Sequence, residues 1–349
     1  MLKSLFLVGF FLMISGVTQC DAGHVNAFIY HRFDESRYPS TNISTQIFTQ
    51  QLEELKRQNI EVISLSDIAR CFETGADLPA HAAALSIDDA FRSVQAAIPI
   101  LKSYGYPVTL FVNTAAVGSS GYLNWDELKA LQDDGVEIGN HTASHDYLVE
   151  MKKDETFKHW QNRVRSDIEK AQAAFEKHLG KRPELFVYPY GEYTAEVVDI
   201  VKELGFKAAF AQQSGVISSD WNRYILPRFP MGGPFATLAG FKSKLAMKPL
   251  PVTAVEPFNP VIEENPPVLY FKLTDPKINP TQFNCFVQGD NKCRVEKDGR
   301  GRAGWYQIVA EQPLTGRRNK YTLTLQSQQG WLWYSHLWIN AKDPVSASD

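Results

Sequence analysis

Three short stretches carry side chains that could do chemistry together. Ser86-Ile-Asp-Asp-Ala-Phe sets the carboxylates of Asp88 and Asp89 side by side after an apolar run. Neighbours on a strand point to opposite faces, but where a strand runs into a turn both can reach one cavity, one as metal ligand and one as base. The other reading is a solvated acidic turn capping a helix from Ser93. Gly139-Asn-His-Thr-Ala-Ser-His places His141 and His145, two of only eight histidines, four residues apart. A helical turn would stack them on one face, where two imidazoles can share one ion; a pair of surface histidines is the alternative. In Phe186-Val-Tyr-Pro-Tyr-Gly-Glu-Tyr, Pro189 and Gly191 flank Tyr190. They imply a fixed turn able to aim a backbone N–H into a pocket, or an ordinary aromatic turn.

The flanking sequence alternates between strand-like and helix-like patterns. Strands are expected over 25–30, 62–65, 84–87, 108–113, 136–139, 185–188 and 207–211. Helices are expected over 48–58, 93–104, 125–131, 156–179 and 194–204. This alternation predicts an α/β fold with a largely parallel sheet, open or closed into a barrel, whose functional residues sit at the C-terminal strand ends. All three stretches fall there. Pro249, Pro251, Pro257, Pro260, Pro266 and Pro267 then mark 249–267 as an extended linker. Residues 268–349 read as a small all-β, sandwich-like domain. In it Cys285 and Cys293 flank a short polar segment and are read as a disulfide in an oxidising compartment, two free thiols being the alternative. Trp305, Trp331, Trp333 and Trp338 read as sandwich core, or else as a carbohydrate-binding face.

The 349 residues suit one large domain plus a smaller one, and a hydrophobic fraction of 44% allows a sizeable core. A net charge of −3 offers no basic face for nucleic acid. At the N-terminus, Lys3, an apolar run from Leu5 to Ile14 and the small residues up to Ala22 read as a signal peptide over 1–22. The apolar run falls short of the about 20 residues that span a bilayer, and no transmembrane segment is expected elsewhere. The mature chain is therefore expected outside the cytoplasm, periplasmic or secreted, with a lipid-modified Cys20 as the rival. No sequence signal sets an oligomeric state.

In this order, the three stretches resemble the motifs of the polysaccharide deacetylase family with the NodB-type catalytic domain, carbohydrate esterase family 4. The family's first motif, Thr or Ser then Phe-Asp-Asp-Gly, matches Ser86 to Ala90. Its second, His-Ser/Thr-x-x-His, matches His141 to His145. Its third, Arg-Pro-Pro-Tyr-Gly, matches Val187 to Gly191. The resemblance spans roughly residues 25 to 245. It implies a distorted (β/α) barrel over 23–248 and hydrolysis of N-acetyl groups on N-acetylglucosamine in a polymer such as peptidoglycan, chitin or poly-N-acetylglucosamine. It also implies one divalent metal on Asp89, His141 and His145, zinc first, with cobalt or nickel suited by the same ligands. Asp88 would be the base, and the Tyr190 N–H would hold the oxyanion. Tyr188, Pro189, Tyr193 and Trp221 would form a substrate-facing wall, although core packing explains any of the aromatics equally well.

Three positions depart from the family pattern. Ala90 stands where the family prefers Gly. Val187 replaces the arginine that orients the base, and Arg228, in Leu226-Pro-Arg-Phe-Pro, is the candidate to replace its charge. The late Leu-x-His motif is missing; His31 in Ile29-Tyr-His-Arg-Phe instead resembles a rearranged branch, the biofilm poly-N-acetylglucosamine deacetylases, and is the candidate general acid. The alternative from another class is a catalytically inactive glycan-binding protein on the same fold.

Overall fold

His24–Tyr30 and Ala82–Ile87 are apolar almost throughout and buried along their whole lengths, as parallel strands covered on both faces must be. In the computed structural model, which describes residues 23–276, 278–287, 291–328 and 330–342, they lie side by side in a parallel sheet. The expected signal peptide, 1–22, lies outside the described residues. Thr109–Val112, Glu137–Asn140, Leu185–Val187 and Ala208–Phe210 follow in chain order, each parallel to the last, while Ile217–Ser218 runs antiparallel along the other side of His24–Tyr30. Residues 226–230 close the ring. Leu226 bridges Phe210 on the last parallel strand, and Phe229 pairs in parallel with Phe28 on the first. The result is a distorted (β/α) barrel.

Its helices are α1 (Thr45–Arg57), α2 (Leu65–Thr74), α3 (Ile98–Tyr104), α4 (Trp125–Asp133), α5 (Phe157–Leu179), α6 (Ala195–Glu203) and α7 (Leu238–Leu245). In α5, Trp160, Val164, Ile168, Ala171, Phe175 and Leu179 recur every three or four residues and are all buried, the stripe a barrel-packed helix needs. The strand expected over 62–65 stops at Val62, because Ser64 and Asp67 form a reciprocal capping box that starts α2.

Beyond the barrel stand two four-stranded sheets. One orders Lys248–Pro249, Gly330–Ile339, Arg318–Ser327 and Asn284–Phe286; the other orders Val252–Glu256, Val268–Leu273, Trp305–Ala310 and Cys293–Lys297. Leu269, Phe271, Ile308, Tyr321, Leu323 and Trp338 fill the space between them. The Cys285–Cys293 disulfide joins one sheet to the other. The first part of the stretch expected as linker is paired: Lys248–Pro249 and Val252–Glu256 contribute a strand to each sheet. Proline is tolerated at strand edges and first positions, so a proline cluster alone did not exclude pairing. The β unit is not tethered loosely. Leu337 and Ile339 enter the barrel-side apolar cluster with Phe186, Val197 and Phe206, and Trp333 Nε1 donates to Ser214 O at 3.0 Å.

Lys320 marks that contact electrostatically. Its Nζ donates to Gln212 O, and burial, with the charges of Arg318 and Lys244, pushes its pKa down to about 8. The unfolded chain therefore holds this proton more tightly than the folded one, which costs stability at low pH and costs nothing once both states are neutral. Lys320→Met is expected to stabilise the chain by up to a few kcal/mol at pH 7. That advantage should fade as pH rises from about 8 to about 10.5; chemical denaturation of both proteins at each pH measures it.

Candidate active site

The C-terminal strand ends gather the side chains picked out by sequence. Asp88 N donates to Tyr30 O at 2.9 Å, continuing the sheet for one more residue. Asp89 and Ala90 then take left-handed conformations, φ 74° and 53°. This turn resolves the opposite-faces problem: Asp88 stays inside the barrel while the Asp89 carboxylate swings towards the histidines. It also explains why glycine would suit position 90, since an L-residue there is strained. Removing the Ala90 methyl, which is buried, costs roughly 1 kcal/mol, and relief of the left-handed strain returns a similar amount. Ala90→Gly is therefore expected to shift stability by less than about 0.5 kcal/mol; a loss above about 1.5 kcal/mol in urea unfolding would show that the turn carries no such strain.

His141 and His145 meet, but not on a helical turn. Thr142 and His145 are left-handed, φ 65° and 60°, so the segment is a loop. Side chains hold its shape: Asn140 Oδ1 accepts from Thr142 N at 2.7 Å, Thr142 Oγ1 from His145 N at 2.9 Å, and the Asp167 carboxylate of α5 from Ser144 N. His141 Nδ1 lies 3.0 Å from Val187 O; with a proton on Nδ1, the Nε2 lone pair is free. The two Nε2 atoms are 3.0 Å apart and stand 3.4 Å (His141) and 3.3 Å (His145) from Asp89 Oδ1.

That triangle fits a metal. Ligand atoms about 2.0–2.1 Å from a tetrahedral ion stand roughly 3.3 Å from one another. Asp89 Oδ1 is buried without a hydrogen bond, an expense that an ion would remove. Burial opposes the charge on Asp89, yet contact with His141 and the charges of His145 and His31 hold its pKa below the usual carboxylate range. Burial likewise opposes charge on His141, but Asp89 and Asp88 hold its pKa above the ordinary imidazole value. Burial and then the neighbouring His141 push His145 down to about 4.

Beside the triangle, Arg228 grips Asp88. Nη1 donates to Oδ1 at 2.8 Å and Nη2 to Oδ2 at 2.9 Å, both residues being 0% exposed. Ser86 Oγ and Ala211 O accept two of the three remaining guanidinium protons. Each Asp88 oxygen keeps a further lone pair. Val187 occupies the position of the family's arginine, while its carbonyl steadies His141. His31, directly after the first strand, is half-buried; burial lowers its pKa, Asp89 and Asp88 raise it, and Arg228 and His141 lower it. It therefore sits within the field of the same four groups.

The third stretch makes the expected tight turn. Tyr190 is left-handed at φ 59°, and Gly191, φ 71°, leaves no room for a side chain: a Cβ would lie 2.4 Å from Gln212 N. No acceptor for the Tyr190 N–H occurs among the described residues. The ring of Tyr190 stacks on Tyr147 at 3.9 Å and meets His145 edge-on at 4.6 Å.

The residues expected to form a substrate-facing wall do not gather beside the triangle. Tyr188, Pro189 and Tyr193 are buried; the Tyr188 hydroxyl donates to Tyr224 O and that of Tyr193 to Gln213 Oε1. Their rings are barrel core, because strand-end positions facing the helices are covered. Trp221 stacks on Tyr334 of the β unit and lines a separate crevice of about 240 Å³, to which no metal-site residue contributes. Of the aromatics in this region, Tyr190 touches His145 and Tyr147 is stacked behind it. Tyr147, two residues after His145, was within reach of the sequence argument but went unnoticed.

Residues 75–209 match the polysaccharide deacetylase family. The chain carries a polysaccharide deacetylase domain. The poly-beta-1,6-N-acetyl-D-glucosamine N-deacetylase of Staphylococcus aureus is 26% identical over 214 residues, 59% of this chain and 73% of that protein. Among solved structures, the deacetylase fold here resembles a de-N-acetylase from Aggregatibacter actinomycetemcomitans, with TM-score 0.57, 21% identity, and 62% of this chain and 99% of that one covered. IcaB from Ammonifex degensii gives TM-score 0.54 at 23% identity, covering 64% of this chain and 96% of that one. At these identities the likeness concerns the fold.

Proposed function

We propose that this deacetylase hydrolyses the N-acetyl group of N-acetylglucosamine residues in an extracytoplasmic polysaccharide, poly-N-acetylglucosamine or peptidoglycan. The observation that carries the reading is the pairing of two groups at neighbouring strand ends. A three-atom ligand triangle lies beside a carboxylate that is held by a buried arginine yet keeps lone pairs to spare. A glycan-binding protein would have no use for either. The name of the Staphylococcus aureus relative supports the choice of polymer.

Asp89, His141 and His145 would hold the ion, zinc first, with cobalt or nickel as alternatives. When bound, a divalent ion supplies Lewis acidity that polarises the acetyl carbonyl and acidifies water. Asp88 accepts the proton of the attacking water, its orientation fixed by Arg228. The Tyr190 N–H meets the oxygen on which charge develops. His31 gives a proton to the departing amine, which would otherwise be too poor a leaving group. Export fits the N-terminal segment, the disulfide and the absence, among the described residues, of any helix long and apolar enough to cross a membrane.

The test is acetate release from poly-N-acetylglucosamine oligomers, chitooligosaccharides and peptidoglycan, with zinc present and after chelation. Chelation and Asp89→Asn are each expected to abolish release, and Asp89→Asn should weaken zinc binding measured by calorimetry. Asp88→Asn should bind zinc normally and lose at least about 10²-fold in turnover, and His31→Ala should lose a similar factor. Wild-type protein inactive on all three polymers would overturn the reading, and an active Asp88→Asn would remove the base.

A further inference from the structure

The β unit reaches into the site just described. Arg317, immediately before the strand Arg318–Ser327, points back across the domain boundary to Glu192. Its Nε donates to Oε1 at 2.8 Å and its Nη2 to Oε2 at 2.7 Å. Glu192 is 0% exposed and Arg317 is 4% exposed. The remaining face of the guanidinium is also used: Nη1 bonds Glu150, and the group lies 4.0 Å from the centre of the Tyr147 ring. Next along the chain, Arg318 Nη1 donates to Tyr190 O at 3.3 Å.

These contacts end on the peptide that matters. Glu192 N donates to Pro189 O at 3.1 Å. Pro189 C=O and Tyr190 N–H belong to one planar unit and point in opposite directions, so fixing the carbonyl sets the direction of the N–H. Tyr190 itself sits in a strained left-handed conformation that its surroundings must impose. Arg317 acts on it twice, through Glu192 on the backbone and through Tyr147, whose ring stacks on that of Tyr190. A buried ion pair is a poor source of stability compared with apolar packing; a planar, two-pronged contact is a good source of orientation.

We propose that Arg317 is a positioning residue of the deacetylase site, supplied by the β unit, which locks Glu192 and thereby aims the Tyr190 N–H at the reacting acetyl group. The inference rests on the function proposed above. It makes the β unit part of the site, not an appended binding module.

The experiment uses the full chain loaded with zinc and poly-N-acetylglucosamine oligomers as substrate. Arg317→Lys keeps the charge but loses the fork; the double variant Glu192→Gln/Arg317→Met removes both charges, so that neither is left buried alone. Both are expected to melt cooperatively and to bind zinc as the wild type does by calorimetry. KM should stay within about twofold while kcat falls on the order of 10- to 100-fold, the cost of a misaimed oxyanion donor. A kcat within about twofold of wild type in both variants, or a loss expressed in KM with kcat unchanged, would overturn the proposal. So would loss of zinc binding or of cooperative melting in both variants, since Arg317 would then hold up the fold generally. Wild-type protein that releases no acetate would instead sink the proposed function, which separates the two failures.

Discussion

A carboxylate with no exposed surface must be held by a cation, and Asp88 is held by Arg228 through both oxygens. Much of the barrel's geometry answers to that requirement. Arg228 lies on the segment that joins the last parallel strand to the first, so closing the ring and delivering the guanidinium are one structural act. An open sheet would leave Asp88 uncompensated. Because the arginine arrives from the closing segment, position 187 is free to be valine, and its carbonyl takes up the orientation of His141.

Around this pair the chain bends its backbone repeatedly. Asp89, Ala90, Thr142, His145 and Tyr190 are all non-glycine residues in left-handed conformations, and all five border the metal triangle or the oxyanion turn. Such strain persists only where neighbouring contacts over-determine it, and those contacts are on view: Asn140 and Thr142 within the histidine loop, Asp167 from α5, and Gln212 beneath Gly191. The strained positions point side chains and one N–H where a regular strand or helix could not.

The sequence made some of this legible and concealed the rest for identifiable reasons. Asp88, Asp89, His141 and His145 were readable because acids and imidazoles at fixed short spacings are rare by chance. The barrel was readable because strand and helix periods alternate. The helical turn assigned to the histidines failed because Asp167, more than twenty residues downstream, helps to shape that loop. Tyr188 and Tyr193 stayed ambiguous because a buried aromatic and a sugar-stacking one have the same residue type, and only the packing of α6 and the β unit shows that both are covered. The prolines after position 248 concealed two strands whose partners lie at Leu332 and Trp333 and at 270–273. Local composition carries no trace of such distant pairing.

The shared core of barrel and β unit has a consequence for how the polypeptide is made. Leu337 and Ile339, near the end of the final strand, complete an apolar cluster whose other members include Phe186, Val197 and Phe206. A nascent chain lengthening from its N-terminus cannot bury that patch on its own, however complete the barrel's other contacts are. Until the ribosome has added the strand Gly330–Ile339, the half-built barrel shows a sticky seam to chaperones, and burial of the seam waits on contacts more than a hundred residues apart in sequence.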